Sequence, residues 1–402
     1  MTPFVLKKLI KRLADQGRVL VYGGPHHSSV LVASQFQSVN FSEVKDLRFE
    51  SGLEGHIVGF LNYEDMVAQK FDSSRFYKIE EGILFSSEEE SYEIIGSFDS
   101  RIIEDLELES AESEELIPTN SPITLLPLES NHHYLESCTK ALNWIREGRF
   151  YQINLLRFFE VLGLNRQCFV DHWLDHSGPY GALLIDQEHE IFSYSPEQFV
   201  VISTQSHRKL IQTFPIKGTR KRSSDPKMDL DLKAELEKSS KDRAELSMII
   251  DLMRHDLYQV TKKGSIRVDD PGQVRSFPTV HHLIASVSGE LRDDLSLGQL
   301  FSIYPAGSIT GAPKKEVTSG IRELEQRNRD FFMGSAFHLS PSGAFHSTVM
   351  IRTAQKIVRQ YQYAAGSGIV VKSVPEDEMA EIFIKCRVLT GDQDELIIKP
   401  IE

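Results

Sequence analysis

Two carboxylate pairs stand at helical spacing. Asp242 and Glu245 are three residues apart, as are Glu378 and Glu381, and Lys385 follows four positions later. Residues three and four apart share a helix face, so each helix can point two carboxylates in one direction. Two such faces opposed across a cleft would hold a hard divalent cation. Mg2+ takes one or two carboxylates and fills its remaining positions with water or substrate oxygens. Either pair alone is equally what a solvated helix face carries, so the surrounding sequence has to decide. Lys217, within Pro215-Ile216-Lys217-Gly218-Thr219, is a candidate nucleophile. An amine near its ordinary pKa of about 10.4 is protonated and inert, whereas desolvation or neighbouring cations free its lone pair. An exposed turn lysine or a structural salt bridge is the plainer alternative. Gly366-Ser367-Gly368 precedes the apolar run Ile369-Val370-Val371. Its glycines would let backbone N–H groups close on an anion, or simply bend the chain between strands. His281 and His282 are adjacent, so in a strand only one of them can face a given cleft.

These residues need elements to position them. Tyr134, Cys138, Leu142 and Ile145 recur at helical spacing, which predicts an amphipathic helix over 132–147. Gly148 ends it, and a strand follows over Tyr151–Val161. Short strands are expected at Arg18–Tyr22, His56–Asn62, Ala182–Ile185, Phe192–Tyr194 and Phe199–Ile202. Two more are expected at Ser335–Leu339 and Ser347–Thr353, the latter placing Arg352 in an alternating strand. Residues 228–260 and 375–390 read as helical. Gly23-Gly24 lacks the third glycine of a dinucleotide fingerprint and reads as a turn. Gly307 to Lys314 echoes a phosphate loop, but its lysine is misplaced and follows Pro313, so nucleotide binding is set aside.

The chain of 402 residues is long enough for two or three domains. The break in composition falls at residues 104–115, rich in Glu and Asp and followed by Pro118, Pro122 and Pro127. This stretch reads as a solvated connector, giving an N-terminal α/β subdomain over 1–118 and a catalytic domain over 130–395. The net charge of −13 argues against a nucleic-acid partner. No run approaches the roughly 20 apolar residues of a membrane span, and the basic, interrupted N-terminus does not read as a secretory signal. Three widely spaced cysteines, Cys138, Cys168 and Cys386, make neither a disulfide framework nor a zinc site, and a reducing cytoplasm is the expected location.

Over residues 130–390 the order of segments resembles the chorismate-utilising enzymes, and among them the component I family of aminodeoxychorismate (para-aminobenzoate) synthases. The resemblance is densest at Gly148–Asn154, Ser195-Pro196-Glu197 and Pro215–Thr219. It continues at Asp242–Glu245 leading into Asp251–Arg254, at Pro305–Lys314, and from Arg352 through Gly366 to Glu381. It implies an α/β (α+β) fold of two packed sheets with flanking helices around a chorismate site, and Mg2+ as cofactor. It further implies that Glu245, Glu378 and Glu381 face the metal, with Asp242 in support. Arg352, Gly366, Gly368, Lys385, Thr219 and Ser308 would bind substrate. Lys217, His282 and Glu197 would be catalytic.

Two positions separate members of the family. Gln152 stands where isochorismate and salicylate synthases carry a water-activating lysine. Lys217 stands where anthranilate synthases carry alanine. The resemblance therefore implies Mg2+-dependent amination of chorismate to 4-amino-4-deoxychorismate, the first step of para-aminobenzoate and folate synthesis. Ammonia would come from a partner glutaminase, since no cysteine here lies on a glycine-flanked turn. Component I of anthranilate synthase and a non-catalytic chorismate- or metal-binding subunit are the alternatives. The chain departs from the family at Phe332, where tyrosine is usual, and at His255, where asparagine is usual. Its N-terminal segment is short, and the family's Leu-Leu-Glu-Ser-type stretch associated with tryptophan binding is not found, so feedback control is not expected.

Overall fold

The computed structural model of the chain describes residues 1–24, 27–112, 123–277 and 280–391. Its strands are β1 (Val19–Tyr22), β2 (Ser29–Val39), β3 (Ile57–Leu61), β4 (Arg75–Ser86), β5 (Ser91–Ile95), β6 (Thr124–Pro127), β7 (Gln152–Leu162), β8 (Ala182–Ile185) and β9 (Glu190–Ser193). They continue with β10 (Gln198–Gln205), β11 (Arg208–Thr213), β12 (Ile216–Lys221), β13 (Arg267–Ser276), β14 (Val280–Glu290) and β15 (Gly311–Ala312). The last are β16 (Gly334–Leu339), β17 (Phe345–Met350), β18 (Thr353–Ile357) and β19 (Gln360–Val370). The helices are α1 (Pro3–Asp15), α2 (Phe41–Val44), α3 (Tyr63–Ala68), α4 (Arg101–Glu112), α5 (Asn131–Arg146), α6 (Arg166–His176), α7 (Pro226–Lys238) and α8 (Ser240–Tyr258). They end with α9 (Leu297–Leu300), α10 (Gly307–Thr310), α11 (Lys314–Glu325) and α12 (Pro375–Thr390).

Every strand pairing is antiparallel, and the two packed sheets expected are the two arms of one hydrogen-bonded network. One arm runs β6, β7, β19, β18, β9, β8, β1, β2. The other runs β4, β3, β16, β17, β10, β11, β14, with β12 and β13 beyond. The arms join where β2 pairs with β4 over nearly its whole length. They then face one another across an apolar layer. Leu20 of β1 and Leu184 of β8 pack there with Phe60 of β3, Ala336 of β16 and Met350 of β17. A long antiparallel strand pair can curl back in this way because sheets twist. Strands from before residue 118 thus pair with strands from after residue 130: β1 with β8, and β3 with β16.

Helices cover the outer faces. Helices α5, α11 and α12 pack on β7 and β19, while α7 and α8 pack on β12 and β14. The helix expected at 132–147 forms as α5, capped by the Ser130 hydroxyl and ended by Gly148 at φ +80°, a conformation glycine adopts without a Cβ clash. The acidic stretch departs from the expected connector. Residues 104–112 complete α4, which packs on α1 with Ile103 and Leu106 buried. Its apolar positions, three apart, supply a helix stripe that outweighs the charge of its exposed face. Residues 113–122, including Pro118 and Pro122, lie outside the described residues, as do residues 392–395 of the expected catalytic domain.

Candidate active site

A cavity of about 330 Å3 opens where β19, β12 and the N-terminal parts of α8 and α12 converge. It is lined by Glu197, Lys217, Glu245, Ser308, Arg352, Gly366, Gly368, Glu378, Glu381 and Lys385. Residues far apart in sequence are therefore brought to one place. His282, Thr219 and Asp242 are not among its lining residues.

The cavity floor follows from strand alternation. Ala364, Gly366, Gly368 and Val370 of β19 line it, joined by the intervening Ala365, and alternate residues share a face. Side chains there are small because neighbours fill the space. A Cβ on Gly366 would meet Leu156 at 2.7 Å, and one on Gly368 would meet Asn154 Oδ1 at 3.1 Å and Gln152 Nε2 at 3.2 Å.

Lys217 is aimed by a β-bulge. Across the β12–β14 pair, Lys217 lies opposite Leu283 but Thr219 lies opposite His282, so Gly218 is the extra residue. Gly218 has φ +72°, and a Cβ there would approach Leu236 Cδ1 at 2.7 Å and Asp242 Cγ at 2.9 Å. Only glycine suits that position. Beyond the bulge, Thr219 Oγ1 lies 2.9 Å from His282 Nδ1. Burial, then the nearby Arg352 guanidinium, lowers the His282 pKa, which favours the neutral imidazole. His281 faces the other way, 1% exposed, with Nε2 3.1 Å from Asp229; the adjacent histidines divide as alternation requires.

Arg352 is not in a strand. β17 ends at Met350 and β18 begins at Thr353. Between them Arg352 takes φ +51°, and its carbonyl accepts from the Tyr194 amide at 3.1 Å. Left-handed backbone in a residue with a Cβ is costly and collects at functional positions. Here it breaks the expected alternation and turns the guanidinium into the cavity. Glu197 sits on the link between β9 and β10. Its backbone carbonyl accepts from Thr348 Oγ1 at 2.8 Å, and its amide donates to Ser195 Oγ at 3.2 Å. Burial raises its carboxyl pKa, while Lys217, Lys385, the Ser308 hydroxyl and Arg352 pull the other way. The net shift keeps a larger fraction of this acid protonated than in an ordinary glutamate.

The carboxylates behave differently from one another. Burial raises the pKa of Glu245, with Lys217 and Lys241 opposing and Asp242 and Glu378 adding to the rise. Two glutamates that repel each other across a cavity suit a shared cation. Ser367 donates its hydroxyl to Glu378 Oε2. Glu381 pairs with Lys385 at 2.7 Å, and Lys385 also donates to the Gly366 carbonyl at 2.6 Å, tying α12 to β19. Asp242 turns to Arg220 at 3.3 Å. Among the described residues no three His, Cys, Asp or Glu converge closely enough to enclose a metal. One or two carboxylates with substrate oxygens, the usual Mg2+ arrangement, fit what is present.

Sequence reasoning did not single out Lys241, Lys372 and Asp377, which also line the cavity. The first and last adjoin Asp242 and Glu378, so their neighbours were the available signal. Phe332 is buried edge-on against Phe158 and does not line the cavity; its neighbour Met333 does.

Residues 14–391 match the family model described as chorismate binding enzyme. The chain belongs to the chorismate binding enzyme family. It is 36% identical over 280 residues to "Aminodeoxychorismate synthase component 1" of Escherichia coli strain K12, an alignment covering 68% of this chain and 61% of that protein. It is also 36% identical over 289 residues to "Anthranilate synthase component 1 1" of Haloarcula marismortui, covering 69% and 58%. The alignments thus span about three-fifths of these relatives. The crystal structure of anthranilate synthase component I from Streptococcus pneumoniae TIGR4 superposes with a TM-score of 0.71 at 23% identity, covering 92% of this chain and 90% of that one. The fold is therefore that of the chorismate-utilising enzymes. Among the described residues no helix is long and apolar enough to cross a membrane.

Proposed function

We infer that the chain aminates chorismate to 4-amino-4-deoxychorismate. One observation carries this reading. Lys217 lines the cavity beside Glu197 and Arg352, and among the described residues it makes no ion pair or hydrogen bond. An amine left without a partner in such a cavity is available to substrate. Arg352 is likewise unpaired, and its guanidinium fork suits one carboxylate of the dicarboxylate substrate. The N–H groups near Gly366 and Gly368 suit an anion.

In the reaction proposed, the Lys217 amine forms a bond to ring carbon 2. Both ring double bonds shift one position toward carbon 4, and the 4-hydroxyl leaves as water with a proton from Glu197. Ammonia then adds at carbon 4, both double bonds shift back, and the carbon–lysine bond breaks with its electron pair returning to nitrogen. Glu197 recovers a proton from the added nitrogen. Chorismate and ammonia go in; aminodeoxychorismate and water come out. The covalent route divides one hard displacement into two easier ones. Glu245, Glu378 and Glu381 would hold Mg2+, which when bound supplies positive charge to the ring carboxylate.

Ammonia is proposed to come from a separate glutaminase. Burial pushes the Cys138 thiol up to about 12 and raises Cys386 as well, the reverse of what a nucleophilic thiolate needs. The deciding experiment supplies chorismate, Mg2+ and excess ammonium, and identifies the product by mass spectrometry. Aminodeoxychorismate is expected. Anthranilate would favour the second reading, which the equal identity to the Haloarcula protein keeps in play. No consumption of chorismate would favour a binding subunit.

A further inference from the structure

Helix α8 does more than carry Glu245. Leu252 and Asp256 follow Glu245 at positions that fall on the same stripe of a helix with 3.6 residues per turn. Asp256 is 1% exposed. Lys314, at the start of α11, places Nζ 2.7 Å from Asp256 Oδ1 and donates to the Ile303 carbonyl at 2.7 Å. Ile303 and Lys314 bracket the segment that contains α10 and Ser308. One ammonium group thus fastens both ends of that segment to α8. In the middle, Gly307 rests so closely on Leu252 that a Cβ would fall 2.3 Å from Leu252 Cδ2. The next residue, Ser308, lines the same cavity as Glu197, and its carbonyl accepts from Asn154 Nδ2 at 3.2 Å.

Neither Asp256 nor Lys314 lines the cavity. A buried ion pair contributes little net stability, since desolvation offsets the attraction. Its placement here has a geometric consequence instead. We propose that the Asp256–Lys314 pair is a positioning device that sets the Ser308 hydroxyl against Glu197 and so aims the acid at the departing hydroxyl. This rests on the reading of Glu197 as the acid. The pair acts through Ser308 and touches no substrate.

The test compares three variants of the full chain. Asp256→Leu with Lys314→Met removes both charges and leaves neither unpaired. Ser308→Ala removes the hydroxyl being positioned. The third combines all three changes. The expected result for the first is a kcat lower by roughly tenfold or more, the cost of a misplaced catalytic group, with KM for chorismate within about twofold. Ser308→Ala should show a similar loss, and the triple variant should lose little more, because the effects share one path. A crystal structure of the paired variant should show Ser308 displaced. If the paired variant does not fold, Asp256→Asn carries the same readouts. An unmoved Ser308, or losses that multiply in the triple variant, would overturn the proposal. A displaced Ser308 with full kcat would uphold the positioning and overturn the role given to Glu197.

Discussion

Glu190 and Glu197 lie in the same short stretch of chain, one in β9 and one just beyond it, and their surroundings are opposite. Glu190 is 4% exposed and accepts from Arg166 at 2.8 Å, from Lys356 at 2.7 Å and from the Tyr361 hydroxyl. Burial would raise its carboxyl, but these three donors outweigh it and bring the group down to about 2. Glu197 looks onto Lys217, Lys385 and Arg352, yet among the described residues it makes an ion pair with none of them, and burial wins. The arginines repeat the contrast. Arg329, 1% exposed, is clasped by Glu325 at 2.6 and 2.9 Å, whereas Arg352 lines the cavity and among the described residues its guanidinium makes no ion pair. Charges that tie the fold together are paired within the chain. In the cavity the charges are divided: among the described residues Glu197, Lys217 and Arg352 make no ion pair, whereas Glu381 and Lys385 pair with each other.

The most severe way to probe the open side is Lys217→Ala. It should lower ammonium-dependent amination by about a thousandfold or more, as loss of a nucleophile does, while the folded protein keeps its far-UV circular dichroism. Unchanged rate and product would show that Lys217 is not the nucleophile.

Glu197→Gln separates the two carboxylates directly. Removal of a general acid should lower kcat by roughly a hundredfold. The stability effect has the opposite sign. A carboxyl with a raised folded-state pKa binds its proton more tightly when folded, so its contribution to stability declines as pH rises through that pKa. Glu197→Gln should therefore raise Tm at pH 7 by roughly 1–3 °C, and a lower Tm would count against the contrast. In the wild type, kcat should fall on the alkaline side as Glu197 loses its proton, which a pH–rate profile reads.

Arg352→Ala should raise KM for chorismate by roughly tenfold to a hundredfold, the worth of a charge-assisted hydrogen-bonded pair, with a smaller change in kcat. Glu378→Gln should raise the Mg2+ concentration needed for half-maximal rate, since a neutral oxygen replaces a charged one. Equal Mg2+ titrations for wild type and variant would remove Glu378 from the proposed metal set.

Glu190→Gln is the mildest for catalysis. Steady-state rates should stay within about twofold of wild type, while Tm falls by roughly 2–4 °C because the half-exposed Arg166 and Lys356 lose their counter-charge. Its lowered pKa means that the stability it supplies is present above the unfolded glutamate value and is lost as pH falls toward about 2. A melting series between pH 5 and pH 2 would show wild type converging on the variant.

Much of the scaffold was legible in the sequence because it is local. The periodicity of Tyr134, Cys138, Leu142 and Ile145, closed by Gly148, marks α5, and the apolar runs at β1, β3 and β8 emerge close to where they were expected. Helical spacing put Glu378 and Glu381 on one helix, and strand alternation divided His281 from His282. These are properties of a few consecutive residues and of two fixed periods. Tertiary structure decided the rest. The acidic stretch became helix α4 because α1 was there to cover Ile103 and Leu106. Arg352 left its expected strand because the turn between β17 and β18 demanded a positive φ. Lys217 was re-aimed by a bulge at Gly218, whose need for glycine lies in Leu236 and Asp242. Which charges would be paired could not be read from their order along the chain. Glu190 and Glu197 have the same side chain, and only the packing of β18, β19 and β12 around them gives one its partners and leaves the other facing a cavity.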